Sequence, residues 1–193
     1  MKKDGIENVR AEEVMVPKWV RGEESAKMLK PWQKNLAMLG LGGSIGTKNN
    51  GITAKVISVN SFEELATRSD EVKGKIVLFN VPFDTYSITV KYIVHGAIEA
   101  SKHGAVASLV RSVGTFSMNT PHTGNSSYED GIKKIPHAAI TIEDAAMMTM
   151  WLLEEIIFPP WKGWVHFFYP LEGLGSKRYW QCEGVCGLSL IHI

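Results

Sequence analysis

The sequence predicts a mixed α/β domain, most clearly through a strand–helix–strand unit over residues 75–110. Residues 75–80 and 105–110 are short apolar runs rich in β-branched residues, which is typical of buried strands. Between them, apolar residues recur at three- and four-residue steps, which predicts a helix with one buried face. Two strands joined by a crossover helix of this length pair in parallel, with a right-handed connection.

The segments before this unit are assigned from their composition and from their start and stop signals. Residues 1–35 lack a periodic apolar face and are predicted to be a peripheral segment. Residues 36–41 predict a buried strand, residues 42–51 a glycine-rich loop and residues 52–59 another strand. Ser61 has a glutamate three residues later, which fits a capping box, so a helix is expected to begin there.

The central helix is expected to begin at Asp84 or Thr85, because either side chain can cap it. Residues 112–131 are dense in Ser, Thr, Gly, Asn and Pro, and a loop of that length inside a domain is usually functional or mobile. A last strand is expected to end at Ile140. Thr141 then predicts the cap of a following helix.

Residues 36–150 are therefore assigned to one domain, whereas residues 151–193 differ from it in composition. This tail holds four of the six Trp and both Cys, yet it shows no helical or strand period. We expect the tail to be poorly ordered. A membrane-interface or partner-binding segment is the alternative, but Pro159–Pro160 prevents the continuous helix that such a segment needs.

The charge and cysteine content exclude several classes of function. The formal net charge is +1 with both signs interspersed, so no nucleic-acid or polybasic membrane surface is expected. No apolar run reaches the roughly 18 residues of a membrane span, and no apolar segment follows the N-terminal charges as a secretory signal requires. Cys182 and Cys186 define neither a disulfide framework nor a four-ligand zinc site.

The glycine-rich loop contains one candidate nucleophile. Residues 42–46 read Gly-Gly-Ser-Ile-Gly, which matches the elbow that exposes a catalytic serine between a strand and a helix. Here a polar loop follows Ser44 instead of a helix. The favoured interpretation is a glycine loop that lets the backbone turn sharply, and a serine hydrolase acting through Ser44 is kept only as an alternative.

One row of side chains on the central helix has metal-ligand spacing. His95, Glu99 and His103 repeat every four residues, which places them on one helical face. The apolar stripe is the neighbouring face, and no further ligand lies nearby in sequence to complete a shell, so no bound metal is expected. His137 is isolated beside a proline, and Asn125 opens an Asn-Ser-Ser acceptor for N-glycosylation.

Several segments carry a specific resemblance in their order and spacing, including Leu-Gly-Leu-Gly-Gly-Ser-Ile-Gly-Thr at 39–47. The others are residues 19–26, 74–77, 96–100, 111–113, 117, 121–124 and 134–145. Together they resemble the protease-associated (PA) domain of the carboxypeptidase Q family, where it is an insert carried by a two-zinc peptidase domain. The resemblance covers about residues 1–150 and implies a β-sandwich or open barrel flanked by helices.

The resemblance also implies an activity and a location for the whole protein. Family members are secreted or lysosomal homodimers that hydrolyse dipeptides with two zinc ions, an activated water and a glutamate base. Their metal ligands lie downstream, in the peptidase domain, and the surroundings of Glu154–Glu155 do not match them. We therefore expect a truncated product that lacks the catalytic domain, holds no cofactor and is inactive alone.

Within such a protein this chain is expected to act as a lid that limits the cleft to small peptides. The loop after residue 110 is predicted to face the substrate, with Arg111 pairing with a carboxylate. Its candidate substrate-facing residues are Arg111, Ser112, Ser117, His122, Thr123 and Gly124. The alternative for the loop is a surface connection with Arg111 in a structural ion pair. The alternative for the chain is a non-catalytic interaction or dimerisation module.

Overall fold

The computed structural model describes residues 2–16, 18–48, 51–157 and 190–192. The strands in this part of the chain are β1 (Ala26–Met28), β2 (Lys34–Leu36), β3 (Met38–Gly40), β4 (Thr53–Val59), β5 (Ile76–Phe79), β6 (Ala107–Arg111), β7 (His137–Ile140) and β8 (Leu190–His192). The α-helices are α1 (Phe62–Thr67), α2 (Ser69–Val72), α3 (Tyr86–Thr89), α4 (Lys91–Lys102) and α5 (Ile142–Ile157).

A five-stranded mixed sheet forms the centre of the fold. Strands β4, β5, β6 and β7 are parallel and adjacent in that order, and β3 pairs antiparallel with β7. The register places Ile76 opposite both Val56 and Ala107. The predicted mixed α/β class and the parallel strand–helix–strand unit are thus confirmed, with β5 and β6 as its strands.

The short strands β2 and β3 lie at the two ends of the sheet and bring these ends together. The complete strand order is β2-β1-β8-β4-β5-β6-β7-β3, yet only Ala37 separates β2 from β3 in the chain. Because the two ends of this order are neighbours in sequence, the sheet curls round as an open barrel does. The predicted single strand 36–41 is therefore broken at Ala37, since its halves pair with β1 and β7.

The curled sheet has a hydrophobic core on each face. On the outer face, β4–β6 pack against the helices through Ile57, Val59, Leu65, Val77, Phe79, Tyr92, Ile93, Ala97 and Val110. On the inner face, the same strands pack against β1, β2 and α5 through Met28, Leu36, Val56, Ile76, Leu78, Leu109, Ile140, Ala145 and Met148. Alternate residues of each strand point to opposite cores, as the two-residue period of a strand requires.

The helix boundaries follow the capping signals with one difference. Ser61 accepts a hydrogen bond from the Glu64 amide at 3.0 Å, and Thr141 accepts one from the Asp144 amide at 3.1 Å, as predicted. The expected single helix after Thr85 is instead two, α3 and α4, which meet at Val90.

Helix α5 continues past the predicted domain boundary at residue 150. Its residue Trp151 packs edge-on against Trp32, with ring centroids 4.6 Å apart. Residues 158–189 of the predicted tail lie outside the described residues, whereas 190–192 form β8. Among the described helices, none combines the length and apolarity needed to cross a membrane.

Candidate functional site

Polar side chains lie where the parallel strands end, and those of Ser58, Asn80 and Arg111 are on the inner face. We call this region the carboxyl edge and define it by Ser58, Asn80, Arg111, Ser112 and Thr149. The Thr149 hydroxyl of α5 lies 2.7 Å from that of Ser58 and accepts a hydrogen bond from the Asn80 amide at 2.9 Å. The carboxyl ends of parallel strands are the usual place for a ligand in an open α/β sheet, so these residues are the first candidates for binding.

Arg111 carries one buried hydrogen-bond donor, Nε, that has no partner among the described residues. Its Nη1 donates to Asn80 Oδ1 at 3.3 Å, whereas its Nε is buried without a partner. Burial lowers the pKa of the guanidinium, and the charge of Glu143 acts in the opposite direction. No carboxylate among the described residues forms an ion pair with it. A guanidinium presents five donors in a planar fork, so Arg111 can receive a carboxylate from outside this part of the chain.

Ser112 and Ser117 are used as anchors for the loop that follows β6. The Ser112 hydroxyl donates to the Ile140 carbonyl at 2.7 Å and accepts the His122 amide at 2.8 Å. The Ser117 hydroxyl donates to the Glu143 carboxylate and accepts the Ile142 amide at 2.9 Å. The hydrogen bond from Ser117 lowers the pKa of Glu143. Both serines therefore position the loop, and their hydroxyls are already engaged.

The remaining loop candidates diverge from one another. His122 is held beside Ser112, and its Nδ1 is buried without a partner. Thr123 is exposed, and Gly124 leaves this edge to lie against Ile93, where a Cβ would approach Ile93 Cγ2 to 2.6 Å. Ser112 follows Arg111 in the chain and holds the His122 amide, whereas the His122 ring lies beside Tyr86 of α3, with ring centroids 6.0 Å apart, and Gly124 lies against Ile93.

A second polar region lies at the opposite end of the strands, around a cavity of about 360 Å³. We call it the amino edge and define it by Trp19, Arg21, Ser44 and His137, which all line the cavity. Trp19 Nε1 donates to the Ser44 carbonyl at 3.1 Å, and Arg21 donates to Glu24 at 3.2 Å. The Ser44 hydroxyl accepts the His137 amide at 2.9 Å and donates to the Ile45 carbonyl at 3.0 Å.

The imidazole of His137 is a buried connector between the sheet and α4. Its Nδ1 lies 2.7 Å from Ser108 Oγ, and its Nε2 lies 3.2 Å from the Tyr92 carbonyl. Nδ1 also lies 3.2 Å from the Ser108 carbonyl, and burial lowers the pKa of His137 to about 4, so the ring is neutral near pH 7. Because this ring is bonded to Ser108 and Tyr92, it provides no general base for Ser44. The geometry therefore favours the glycine-loop interpretation over a serine nucleophile.

The three side chains on α4 that have metal-ligand spacing, His95, Glu99 and His103, do not form a metal site. Glu99 forms an ion pair with Lys102 at 2.9 Å, His103 Nδ1 lies 2.8 Å from Ser69 Oγ, and His95 is exposed. In the described part of the chain, no group of three or more His, Cys, Asp or Glu side chains could hold a metal. These residues accordingly do not fit the zinc centre that the family resemblance implies for the whole protein.

Comparison with known proteins identifies relatives of this chain. No family model matches it. Carboxypeptidase Q from mouse and from human are each 55% identical to it over 149 residues, which is 77% of this chain and 32% of those proteins. The chain thus spans about a third of the length of these relatives.

A solved structure agrees with the sequence relationship. The crystal structure of a peptidase M28 precursor from Shewanella amazonensis matches 72% of this chain and 33% of that one, with a TM-score of 0.69 and 31% sequence identity. Over the matched region the sequence and the fold therefore point to one group. The chain is a homologue of carboxypeptidase Q over these 149 residues.

Proposed function

We propose that this chain is the lid portion of a carboxypeptidase Q-like zinc peptidase, and that its carboxyl edge faces small peptide substrates. Homology to about a third of carboxypeptidase Q supports a part that accompanies a catalytic domain. A lid admits small substrates and excludes larger ones when it covers a cleft. The unpaired Nε of Arg111 is the observation that carries this proposal.

The proposed interaction is between Arg111 and the terminal carboxylate of a dipeptide. Arg111 lies on the inner face beside Asn80, where Nε has no partner. A carboxylate that accepts from a guanidinium forms charge-assisted hydrogen bonds worth about 1.5–3 kcal/mol. That free energy corresponds to roughly 10- to 100-fold in affinity. His122, whose Nδ1 also lacks a partner, is proposed as a neighbouring polar contact for the same ligand.

The hydrolytic chemistry is proposed to belong to another part of the whole protein. In such peptidases, two zinc ions hold and activate the attacking water. The described residues hold no group of metal-binding side chains, so this chain contributes binding and steric selection instead. We propose that the chain alone neither retains zinc nor hydrolyses dipeptides, and that the whole protein is secreted or lysosomal.

The test combines zinc content, hydrolysis and binding on the purified chain. The native chain is expected to bind a dipeptide, to lack stoichiometric zinc and to show no turnover with added zinc. Arg111→Met is expected to weaken dipeptide binding about 10-fold or more, whereas Arg21→Met, at the amino edge, is the matched control and should not weaken it. Turnover with bound zinc would refute the non-catalytic role, and equal binding by both variants would refute the role of Arg111.

A second candidate function is an interaction or dimerisation module. Phe116 and Met118 flank Ser117, and their side chains are 71% and 79% exposed. Two large apolar side chains on one exposed loop are typical of a surface that contacts another protein. Sedimentation of the native chain and of a Phe116→Ser, Met118→Ser variant tests this function, which predicts a dimer that only the native chain forms.

A further inference from the structure

We propose that the groove between β1 and β4 is a strand-acceptor site, which binds an extended peptide segment by main-chain pairing on both sides. In the structure the chain's own β8 occupies this groove. A segment of another molecule with the right side chains would bind there in its place. This inference concerns β1, β4 and β8, does not involve Arg111 and does not depend on the proposed lid function.

The backbone pairing defines the groove. β8 is antiparallel to both of its neighbours, with Ile191 opposite Met28 on one side and opposite Ala54 on the other. β1 and β4 do not pair with each other in the strand order, because β8 lies between them. Strand addition of this kind takes its affinity from main-chain hydrogen bonds and its specificity from alternate side chains.

The described part of the present occupant is short. Among the described residues β8 has three, Leu190–His192, and their ladder joins two residue pairs with β1 and three with β4. A strand this short is at the lower end of natural strand lengths, and few main-chain bonds mean a low cost of local opening. The groove is therefore accessible to a competing strand without unfolding of the five-stranded sheet.

The neighbours of the groove specify the side chains of the preferred peptide. Its central position lies opposite Met28 and Ala54, which belong to the inner core, so that position calls for an apolar residue. One flanking position lies opposite Lys27 of β1 and Thr53 of β4, and the other lies opposite Lys55 of β4. Opposite charges on paired strands stabilise the ladder. The partner is therefore an extended segment with an apolar residue between two acidic ones.

The test uses the full chain and a peptide with the sequence of residues 187–193, in which Leu190→Glu and His192→Glu supply the acidic flanks. Ile191→Pro in the chain removes one main-chain donor and frees the groove. This variant is expected to bind the peptide about tenfold or more tightly than the native chain, whose own β8 competes at high effective concentration. A peptide that carries proline at the central position is the control, and it should not bind.

Equal binding of the peptide by the native and Ile191→Pro chains, or undiminished binding of the proline peptide, would overturn the proposal. A second variant tests the proposal independently in case the Ile191→Pro chain does not fold. Lys27→Glu with Lys55→Glu keeps β8 and reverses the charge beside the groove, so it should favour a Lys-Ile-Lys peptide over Glu-Ile-Glu. An unchanged preference would also contradict the strand-acceptor site.

Discussion

The two ends of the parallel strands differ in how their polar groups are used. At the amino edge, Trp19 and Arg21 each have hydrogen-bond partners, and so do the Ser44 hydroxyl and both ring nitrogens of His137. At the carboxyl edge, Arg111 Nε is buried and unpaired. His122 donates its backbone amide to Ser112 of this edge, and its Nδ1 is also buried without a partner.

We use this difference to distinguish a structural region, the amino edge, from the proposed binding region, the carboxyl edge. An unpaired buried donor costs about 1–3 kcal/mol, and more when it is charged, so a fold retains one only where something else offsets that cost. Ser126 Oγ, near the glycine loop, is also buried without a partner, but it is a neutral hydroxyl and a weaker indication. The comparison predicts that amino-edge changes reduce stability and that carboxyl-edge changes reduce binding.

The largest loss of stability is expected from His137→Leu. The substitution leaves Ser108 Oγ and the Tyr92 carbonyl without their partner in the core, which should lower the free energy of unfolding by about 3 kcal/mol. Urea denaturation measures it. His95→Leu, at an exposed position of α4, is the control and should change stability by less than about 0.5 kcal/mol. Equal losses for the two variants would contradict a structural role for His137.

The same histidine predicts an acid-dependent loss of stability. Because burial lowers the pKa of His137 from 6.5 to about 4, the unfolded chain binds more protons than the folded chain between those values. Stability is therefore complete above pH 6.5 and falls by about 1.4 kcal/mol for each pH unit down to about pH 4.

Urea midpoints at several pH values test this window, with His137→Gln as the comparison. The pKa values of Glu71 and Glu143 are lowered from 4.5 by hydrogen bonds, so the loss of their contribution begins only near that value. The decline between pH 6.5 and 4.5 should consequently disappear in His137→Gln. A decline of the same slope in both chains would assign it to other groups.

A smaller effect is expected from Ser44→Ala. The variant loses the acceptor of the His137 amide hydrogen bond of 2.9 Å, which should cost about 1 kcal/mol. Ser87→Ala, at an exposed position, is the control for the urea measurement. An active-site serine probe should label neither the native chain nor the variant, and labelling that depends on Ser44 would restore the serine hydrolase alternative.

The smallest change in stability is expected from Arg111→Met. Removal of a half-buried guanidinium with an unpaired Nε also removes its desolvation cost, so the free energy of unfolding should change by less than about 1 kcal/mol. The urea midpoint measures this, beside Arg21→Met, which loses its hydrogen bonds to Glu24 and the Gly40 carbonyl. A larger loss for Arg111→Met than for Arg21→Met would make Arg111 a structural residue.

Local patterns in the sequence predicted most of the central sheet. The runs at β4, β5 and β6 are apolar because both faces of these strands are covered, and Ser61 and Thr141 identify helix starts through contacts three residues away. The break at Ala37 was not predictable in this way. It follows from which strands β2 and β3 pair with, and those partners are remote in sequence.

The candidate site shows the same limit. Sequence reasoning selected the loop after β6 and its polar residues as candidates, but it could not say which of their hydroxyls are already engaged. Ser117 binds Glu143, which is 26 residues away. His137 was interpreted as an isolated histidine, because its partners Ser108 and Tyr92 are 29 and 45 residues away. The one sequence signal for these buried contacts is that His137 is a polar residue in an otherwise apolar strand.

The most direct test of the binding role of the carboxyl edge is a dipeptide titration of the isotope-labelled chain, followed by nuclear magnetic resonance. The account predicts that the Arg111 Nε–H signal and the amides of Ser112 and His122 shift progressively. The amides of Ser44 and His137 should remain in place. Shifts confined to the amino edge, or no shift at Arg111 at saturating dipeptide, would contradict it.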